Sequence, residues 1–212
     1  MIGLERVRSA SQRRDQRSGL PVVTPLRHRP AQSHAVGVEV RRITTLDGAR
    51  LQRVRLAALE EAPSAFASTH QSEANRPEAE WALRAVAGSQ GSDRATFFAQ
   101  IDDEPVGLVG GYRETPSSPI VDMVSMWVAP HVRGRGVGAL LVEVVTTWAI
   151  ETNASSISLW VTRGNAPAER LYRSMNFVAT GEVQPLPSDS TRDEVRMLLT
   201  LRAPTDGARS LS

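Results

Sequence analysis

Three glycines and two arginines stand close together in the stretch from Arg133 to Ala139, directly before a long apolar segment. The glycines at positions 134, 136 and 138 allow the backbone to bring successive N–H groups close to a ligand. If the apolar segment is a helix, its first amides have no partner inside the helix, and its dipole favours an anion there. Arg133 and Arg135 add positive charge at the same place. The residue types and their spacing therefore predict a site for a phosphate-bearing ligand.

Two other interpretations of this loop stay open when the loop is considered alone. Gly134, Gly136 and Ala139 also satisfy the relaxed dinucleotide pattern Gly-x-Gly-x-x-Ala. That pattern follows the first buried strand of its fold and needs an acidic residue near the end of the next strand, whereas here the next strand ends in Thr162-Arg163. The other interpretation is a tight turn that binds nothing. Each glycine would then lose backbone entropy on folding without a ligand contact to offset the loss. Both are weaker than phosphate binding.

The loop and its flanks resemble the acetyl-CoA signature of the GNAT N-acetyltransferase superfamily, Arg/Gln-x-x-Gly-x-Gly/Ala, at Arg133, Gly136 and Gly138. The resemblance continues over residues 159–177, which match the pattern strand–Asn–x–x–Ala–x–x–Leu–Tyr–x–x–x–Gly–Phe. Asn176 stands where the family usually has glycine, and asparagine also tolerates a left-handed helix end, so the same turn is expected. The resemblance covers roughly residues 38–201.

The resemblance implies a mixed α/β domain of the α+β type, with a mostly antiparallel central sheet, two splayed parallel strands and flanking helices. The pantetheine arm of acetyl-CoA would insert between the splayed strands and contact the backbone of Met126, Trp127 and Val128. The N–H of Val128 would face the thioester carbonyl and stabilise the negative charge that develops on its oxygen. The pyrophosphate would be held by the residues of the loop: Val132, Arg133, Gly134, Arg135, Gly136, Val137, Gly138 and Ala139.

The same resemblance implies roles for two side chains that follow the loop. Asn165 would line the cofactor or the acceptor with its amide, although it can also simply cap the helix that follows. Tyr172 would donate a proton to the departing CoA thiolate, because its reference pKa of ~10 suits a leaving group of comparable basicity. Core packing alone is the alternative for Tyr172. We interpret the aromatic side chains of Tyr112, Trp127 and Trp160 as sheet core.

The resemblance implies an acetyl-CoA-dependent N-acyltransferase that acetylates a primary amine by direct attack in a ternary complex. The acceptor, a small molecule or a protein amine, is not identified, and neither is the choice between acetyl and longer acyl groups. The base that takes the amine proton stays open among Asp122, Glu60, Glu61 and a water-mediated route, with His131 expected to face solvent. The alternative function is a catalytically silent CoA-binding or regulatory module. No metal is implied, and a homodimer fits the family.

Composition excludes several other chemistries. The chain has no cysteine, and all 25 of its basic Lys+Arg positions are arginine. Disulfides, thiolate metal sites, a cysteine nucleophile, a lysine Schiff base and a Walker A lysine are therefore excluded. No stretch approaches the ~20 apolar residues of a membrane span, and the N-terminus has no apolar signal segment. We expect a cytoplasmic protein without a membrane partner.

Charge divides the chain into a tail and a domain. Residues 1–36 carry seven arginines against Glu5 and Asp15, and we predict a disordered tail there, a domain over 37–203 and a flexible C-terminus over 204–212. Acidic residues outnumber basic ones in the remainder, so the high pI is no argument for nucleic-acid binding by the domain. An arm for nucleic acid or anionic membrane is the alternative for the tail.

Hydrophobic periodicity predicts the elements that position these residues. Strands are expected over 38–43, 95–101, 105–112, 120–128, 157–161, 177–183 and 195–201. Helices are expected over 48–59, capped by Asp47, and over 78–88, 139–150 and 166–175, with a short helical segment at 64–66. Asp102 and Asp103 form a tight turn between two of the strands.

Overall fold

The computed structural model describes residues 37–201. The predicted tail over 1–36 and the predicted C-terminus over 204–212 lie outside the described residues. No helix within residues 37–201 is long and apolar enough to span a membrane.

Seven strands and five α-helices make up the described part of the chain. They are β1 (Glu39–Arg42), α1 (Gly48–Glu61), α2 (His70–Ala74), α3 (Glu78–Ser89), β2 (Arg94–Ile101), β3 (Glu104–Tyr112), β4 (Ile120–Val128), α4 (Val137–Glu151), β5 (Ser156–Thr162), α5 (Ala166–Ser174), β6 (Val178–Leu186) and β7 (Asp189–Thr200). Short 3-10 turns follow α1 at Pro63–Ala65 and β4 at Pro130–Val132.

The strands form one sheet in the order β1-β2-β3-β4-β5-β7-β6. Neighbouring strands run antiparallel except for β4 and β5, which are parallel. The turn between β2 and β3 has positive φ at both Asp102 and Asp103, as a tight hairpin turn requires. The predicted fold class, a mostly antiparallel sheet with one parallel pair and flanking helices, is confirmed.

The parallel pair separates soon after it forms. Pairing joins Ile120–Asp122 to Ser156–Ser158 and goes no further along either strand. Beyond it, β4 contains a β-bulge at Ser125, whose φ is +58°, and its register with β3 shifts there. A bulge bends its strand and increases the local twist. The carboxyl halves of β4 and β5 therefore splay apart and leave a gap in the sheet.

The two faces of the sheet are covered by different helices. One core contains the apolar faces of α4 and α5, with Leu141, Val145 and Trp148 packed on the middle of the sheet. Gly111 in β3 allows this contact, since a Cβ there would stand 2.8 Å from the Trp148 ring. On the opposite face, α1 and α3 pack through Leu51 and Trp81.

Helix α2 was not predicted from the sequence. Its five residues carry no apolar periodicity, and only Glu73 is buried. Thr69 and Ser72 form a capping box at its start. Glu73 then bonds the guanidinium groups of Arg76 and Arg84, both at 2.8 Å, so polar contacts rather than an apolar face hold the helix.

Asp47 stands at the N-terminus of α1 as expected, but the prediction that its side chain caps the helix is wrong. Asp47 precedes the helix, but its side chain bonds none of the helix amides. Its carboxylate instead accepts hydrogen bonds from Arg41 at 2.8 Å and from the Thr44 amide at 2.7 Å. The Arg41 hydrogen bond holds the Asp47 pKa at about 2, well below its usual value. Asp47 thus ties β1 to the start of α1.

Three further boundaries differ from prediction. Helix α4 begins at Val137 rather than 139, so Gly138 lies inside its first turn. Strands β6 and β7 extend to Leu186 and from Asp189, because their ends pair with each other as a ribbon whose mostly polar residues give no alternating pattern. At the end of α5, Asn176 has a φ of +67°, which confirms the left-handed turn expected in place of the family glycine.

Candidate active site

A cavity of about 550 Å³ occupies the gap between β4 and β5. One end is formed by the loop before α4 and the first turn of that helix, one wall by α5, and the opposite wall by the segment that follows α1. Eleven of the predicted site residues line it: Met126, Trp127, Val128, Arg133, Gly134, Gly136, Val137, Gly138, Ala139, Asn165 and Tyr172. Residues separated by more than forty positions in sequence are thus brought around one space.

The start of α4 presents unpaired backbone donors to this cavity. The first bond of the helix runs from the Leu140 amide to the Gly136 carbonyl, at 3.2 Å. The amides of Val137, Gly138 and Ala139 precede it and have no acceptor inside the helix. Gly136, with a φ of +85°, turns the chain into the helix in a conformation that L side chains rarely adopt. Such amides, together with the helix dipole, suit a diphosphate.

Two residues of the predicted loop lie outside the cavity lining. Val132 is buried in the core, and its amide donates to the Ala129 carbonyl at 3.1 Å. Arg135 is exposed and does not line the cavity.

Arg133 lines the cavity but points away from the helix amides. Its Nε donates to the Val128 carbonyl at 2.9 Å, and its two terminal nitrogens bond the Glu61 carboxylate. The same carboxylate accepts a hydrogen bond from the Trp127 indole at 3.1 Å. The guanidinium therefore joins the end of β4 to the end of α1. Its positive charge lies at the rim of the cavity.

The orientation of the Val128 amide follows from its neighbour. The Ala129 amide donates to the Val106 carbonyl of β3 at 2.8 Å. Consecutive amides of a strand point to opposite edges, so the Val128 N–H points toward β5. That edge faces the cavity, because β5 has already separated from β4 at this level. A free donor is available where the resemblance implies one.

Tyr172 projects from α5 into the wall of the cavity. Its side chain is 6% exposed and packs on Phe177, with ring centroids 5.8 Å apart. Burial raises its pKa above the ordinary tyrosine value, so the phenol is protonated at neutral pH. The group can give a proton but cannot serve as a resident base. Packing and a proton-donor role are compatible for this residue.

Asn165 caps α5, as one of its two interpretations predicted. Its side-chain oxygen accepts a hydrogen bond from the Ala168 amide at 3.3 Å. Because this contact uses only the oxygen, the NH₂ group stays available, and the residue lines the cavity. Capping therefore does not compete with a ligand contact.

None of the proposed side-chain bases lines the cavity. The Arg133 hydrogen bond lowers the pKa of Glu61, which makes its carboxylate a weaker proton acceptor. Burial raises the pKa of Asp122, and Ser158 donates a hydrogen bond to it, but Asp122 lies below the cavity. Glu60 and His131 are exposed. Among residues 37–201, no aspartate, glutamate or histidine lines the cavity, and no group of three or more of these residues is arranged to hold a metal ion.

The sequence analysis did not place the side chains of two tryptophans at the cavity. Trp127 and Trp160, interpreted as sheet core, both line the cavity, whereas Tyr112 does not. Phe66 reaches the cavity from the segment after α1, where Thr162 donates a hydrogen bond to the Ser64 carbonyl at 2.8 Å. Trp81 does not reach the cavity, because it is fully buried against α1 and β2. The alternation of β5, with Leu159 and Val161 in the core, could have indicated that Trp160 faces the other way.

Comparison with known proteins agrees with this geometry. The profile of the Acetyltransferase (GNAT) family matches residues 55–177. An uncharacterized N-acetyltransferase of Archaeoglobus fulgidus is 34% identical over 85 residues, which cover 38% of this chain and 58% of that protein. Streptothricin acetyltransferase of Streptomyces lavendulae is 31% identical over 96 residues, 44% of this chain and 51% of that protein.

A solved structure shares the architecture over a longer range. The crystal structure of a GNAT family acetyltransferase from Streptococcus pneumoniae superposes with a TM-score of 0.67 at 19% identity, covering 78% of this chain and 99% of that one. The chain belongs to the GNAT acetyltransferase family. It spans little more than half the length of the two sequence relatives.

Proposed function

We propose that this protein transfers an acetyl group from acetyl-CoA to a primary amine by direct attack in a ternary complex. The observation that carries the proposal is the gap between β4 and β5, with unpaired α4 amides at one end and the Tyr172 phenol in its wall. Transfer of acetyl groups from acetyl-CoA is general for the family to which the chain belongs.

The residues present fit acetyl-CoA, which would supply the acetyl group as a thioester. The amides of Val137, Gly138 and Ala139 would hold the pyrophosphate, with no lysine needed. The splayed half of β4 would bond the pantetheine arm through the backbone of Met126, because the backbone of Trp127 is paired with Leu108 of β3. Since the side chain of Arg133 is engaged by Glu61 and Val128, the backbone rather than this guanidinium would provide most of the contacts to the diphosphate.

Acetyl transfer then needs a hydrogen-bond donor for the acetyl oxygen, a proton donor for the CoA sulfur and an acceptor for the amine proton. The Val128 N–H would donate to the acetyl oxygen, where negative charge develops as the amine attacks. Tyr172 would give its proton to the CoA sulfur as the carbon–sulfur bond breaks. Because no carboxylate or histidine among the described residues lines the cavity, the amine proton would leave through water.

The test is thiol release from acetyl-CoA with a panel of primary amines. Streptothricin belongs in the panel because the Streptomyces lavendulae relative is named for it. We expect CoA release above background with at least one amine, and formation of the matching amide. The same assay with propionyl-CoA compares the two acyl groups.

The alternative function, a silent CoA-binding or regulatory module, predicts a different result. Acetyl-CoA would bind, measured by calorimetry, but no amine would release CoA. Failure of acetyl-CoA to bind at all would contradict both functions.

A further inference from the structure

The cavity has two chemically different sides, divided by the plane of the sheet. The α4–α5 side carries the helix amides and Tyr172. Leu159 and Val161 point into the core on that side, so Trp160 between them points to the opposite face. We call the opposite side the acceptor wall; it consists of Ala62, Ala65, Phe66, Val124, Trp127 and Trp160. If the first side holds acetyl-CoA, the amine enters along this wall.

A guanidinium group already lies over each of two aromatic rings of the acceptor wall. The Arg55 guanidinium lies over the Phe66 ring, 4.5 Å from its centroid. The Arg196 guanidinium lies over the Trp160 ring at 6.0 Å. A cation is attracted to the face of an aromatic ring, but a second cation on these rings would be repelled by the guanidinium already there.

The nearby carboxylates already have hydrogen-bond partners within the chain: arginines for Glu61 and Glu182, Ser158 for Asp122 and Gln184 for Glu194. Glu61 is paired with Arg133 at the rim. Glu182 is paired with Arg196 at 3.1 Å. No carboxylate of the described residues lines the cavity itself. An additional ammonium group on an acceptor would lose hydration there without gaining an anionic partner.

The space also limits the size of the acceptor. The cavity of about 550 Å³ has to contain the end of the pantetheine arm as well as the amine. Ligand cavities of about 300–1,000 Å³ hold molecules of drug size or smaller. The side chains of the acceptor wall are apolar apart from two indole N–H groups, that of Trp127, which donates to Glu61, and that of Trp160.

We infer that the acceptor is a small monoamine whose amino group is carried on an apolar or aromatic body, and that polyamines are poor acceptors. This inference rests on the proposed function and adds the substrate class. An aromatic body gains burial against Phe66 and Trp160, whereas the extra charges of a polyamine find no carboxylate of the described residues in the cavity and meet a guanidinium on two of the three aromatic rings of the acceptor wall.

The experiment compares 2-phenylethylamine with spermidine as acceptors at one pH, using the full chain and saturating acetyl-CoA. We expect kcat/KM for 2-phenylethylamine to exceed that for spermidine at least about tenfold, because burial of a phenyl group is favourable by roughly 1.5–3 kcal/mol. The readout is CoA release, with the acetylated amine identified by mass spectrometry.

A charge placed on the acceptor wall should change this preference. Val124 lines the cavity and is 40% exposed, so Val124→Asp adds a carboxylate without opening the core. We expect Val124→Asp to raise kcat/KM for spermidine and lower it for 2-phenylethylamine, moving their ratio at least about tenfold. Val178→Asp is the matched control, since Val178 is 60% exposed and lies outside the cavity; it should leave the ratio within about twofold.

The outcomes separate this inference from the proposed function. If spermidine is the better acceptor of the unaltered protein, the substrate class is wrong while acetyl transfer stands. The same conclusion follows if Val124→Asp folds and binds acetyl-CoA but leaves the ratio unchanged. If no amine releases CoA, the proposed function fails and the inference fails with it.

Discussion

Tyr172 and Tyr112 are the two tyrosines of the chain, and Tyr172 is the one that lines the cavity. Its burial raises the pKa of the phenol, so the group stays protonated across neutral and mildly alkaline pH. A protonated phenol in the wall can give a proton to a departing thiolate, but the raised pKa makes it a weaker acid than the free side chain on which the match to the thiolate was based. The residue also packs on Phe177, and a conservative substitution is needed to separate the two contributions.

Tyr172→Phe should lower turnover far more than it lowers acetyl-CoA affinity. The ring and its packing remain, while the proton donor is lost, and general acid catalysis contributes about 10²-fold or more. We expect kcat to fall about 100-fold with the acetyl-CoA dissociation constant within about twofold, measured by steady-state kinetics and calorimetry. Tyr112→Phe is the matched control and should retain activity. Equal activity of the two variants would remove the proton-donor role of Tyr172.

Gly136→Val should abolish tight acetyl-CoA binding in a folded protein. Gly136 has a φ of +85° at the start of α4, a conformation that costs an L residue about 1–2 kcal/mol, and valine there disturbs the amides of the first turn. We expect the dissociation constant to rise at least about tenfold. Gly181→Val is the control for strain alone, because Gly181 has a φ of +90° and open space around it, away from the cavity. Unchanged affinity in Gly136→Val would mean that the phosphate binds elsewhere.

At the scale of elements, the separation of β4 from β5 decides where the site is. Their pairing ends at Asp122 and Ser158, and the bulge at Ser125 turns the rest of β4 away. Helix α4 is held close to β3 by the contact of Trp148 with Gly111. The start of α4 is thereby placed at the open end of the gap. Separately, the carboxylate of Asp47 holds β1 to the start of α1.

Asp47→Asn should destabilise the fold in a pH-dependent manner. The folded pKa of Asp47 is lowered from 3.8 to about 2 by Arg41, so its ionised form stabilises the folded state above pH 4. This contribution is lost as the pH falls from about 4 through about 2. We expect a loss of about 1–2 kcal/mol in the free energy of unfolding at pH 7, from urea denaturation, and a smaller difference near pH 2.

The exposed Asp193 provides the control for charge alone. Asp193→Asn should change the free energy of unfolding by less than about 0.5 kcal/mol at any of these pH values. A difference between the native protein and Asp47→Asn that stays constant from pH 7 to pH 2 would contradict the role of the Arg41 pair.

At the scale of the whole molecule, a ligand that bridges the gap joins elements that the sheet leaves apart. Acetyl-CoA at about 100 times its dissociation constant should stabilise the folded protein by about 2.7 kcal/mol. For a domain of this size, that corresponds to a rise in Tm of roughly 5–10 °C. NADH at the same concentration should give no rise, because the loop does not belong to a dinucleotide fold. The measurement is differential scanning calorimetry; a shift with NADH but none with acetyl-CoA would contradict the assignment of the loop.

Features governed by neighbouring residues could be predicted from the sequence. The glycines of the loop, the cap formed by Asn165 and the left-handed turn at Asn176 all depend on local backbone preferences. The apolar face that carries Tyr172 follows from helical periodicity. Helix α2 escaped prediction because its only buried side chain, Glu73, is held by arginines up to eleven positions away.

Features that depend on packing between distant segments could be seen only in the folded molecule. The engagement of Arg133 by Glu61, the exposure of Trp160 to the cavity and the stacking of Arg55 on Phe66 join parts of the chain that sequence spacing does not relate. These contacts decide which charged groups lie beside the acceptor wall and which of them are already paired. The sequence by itself therefore determined the glycine-rich start of α4 and the helix face on which Tyr172 lies, because backbone conformation and helical periodicity are local. The tertiary structure alone decided what surrounds the acceptor, because that surface is built from three elements whose contacts arise on folding.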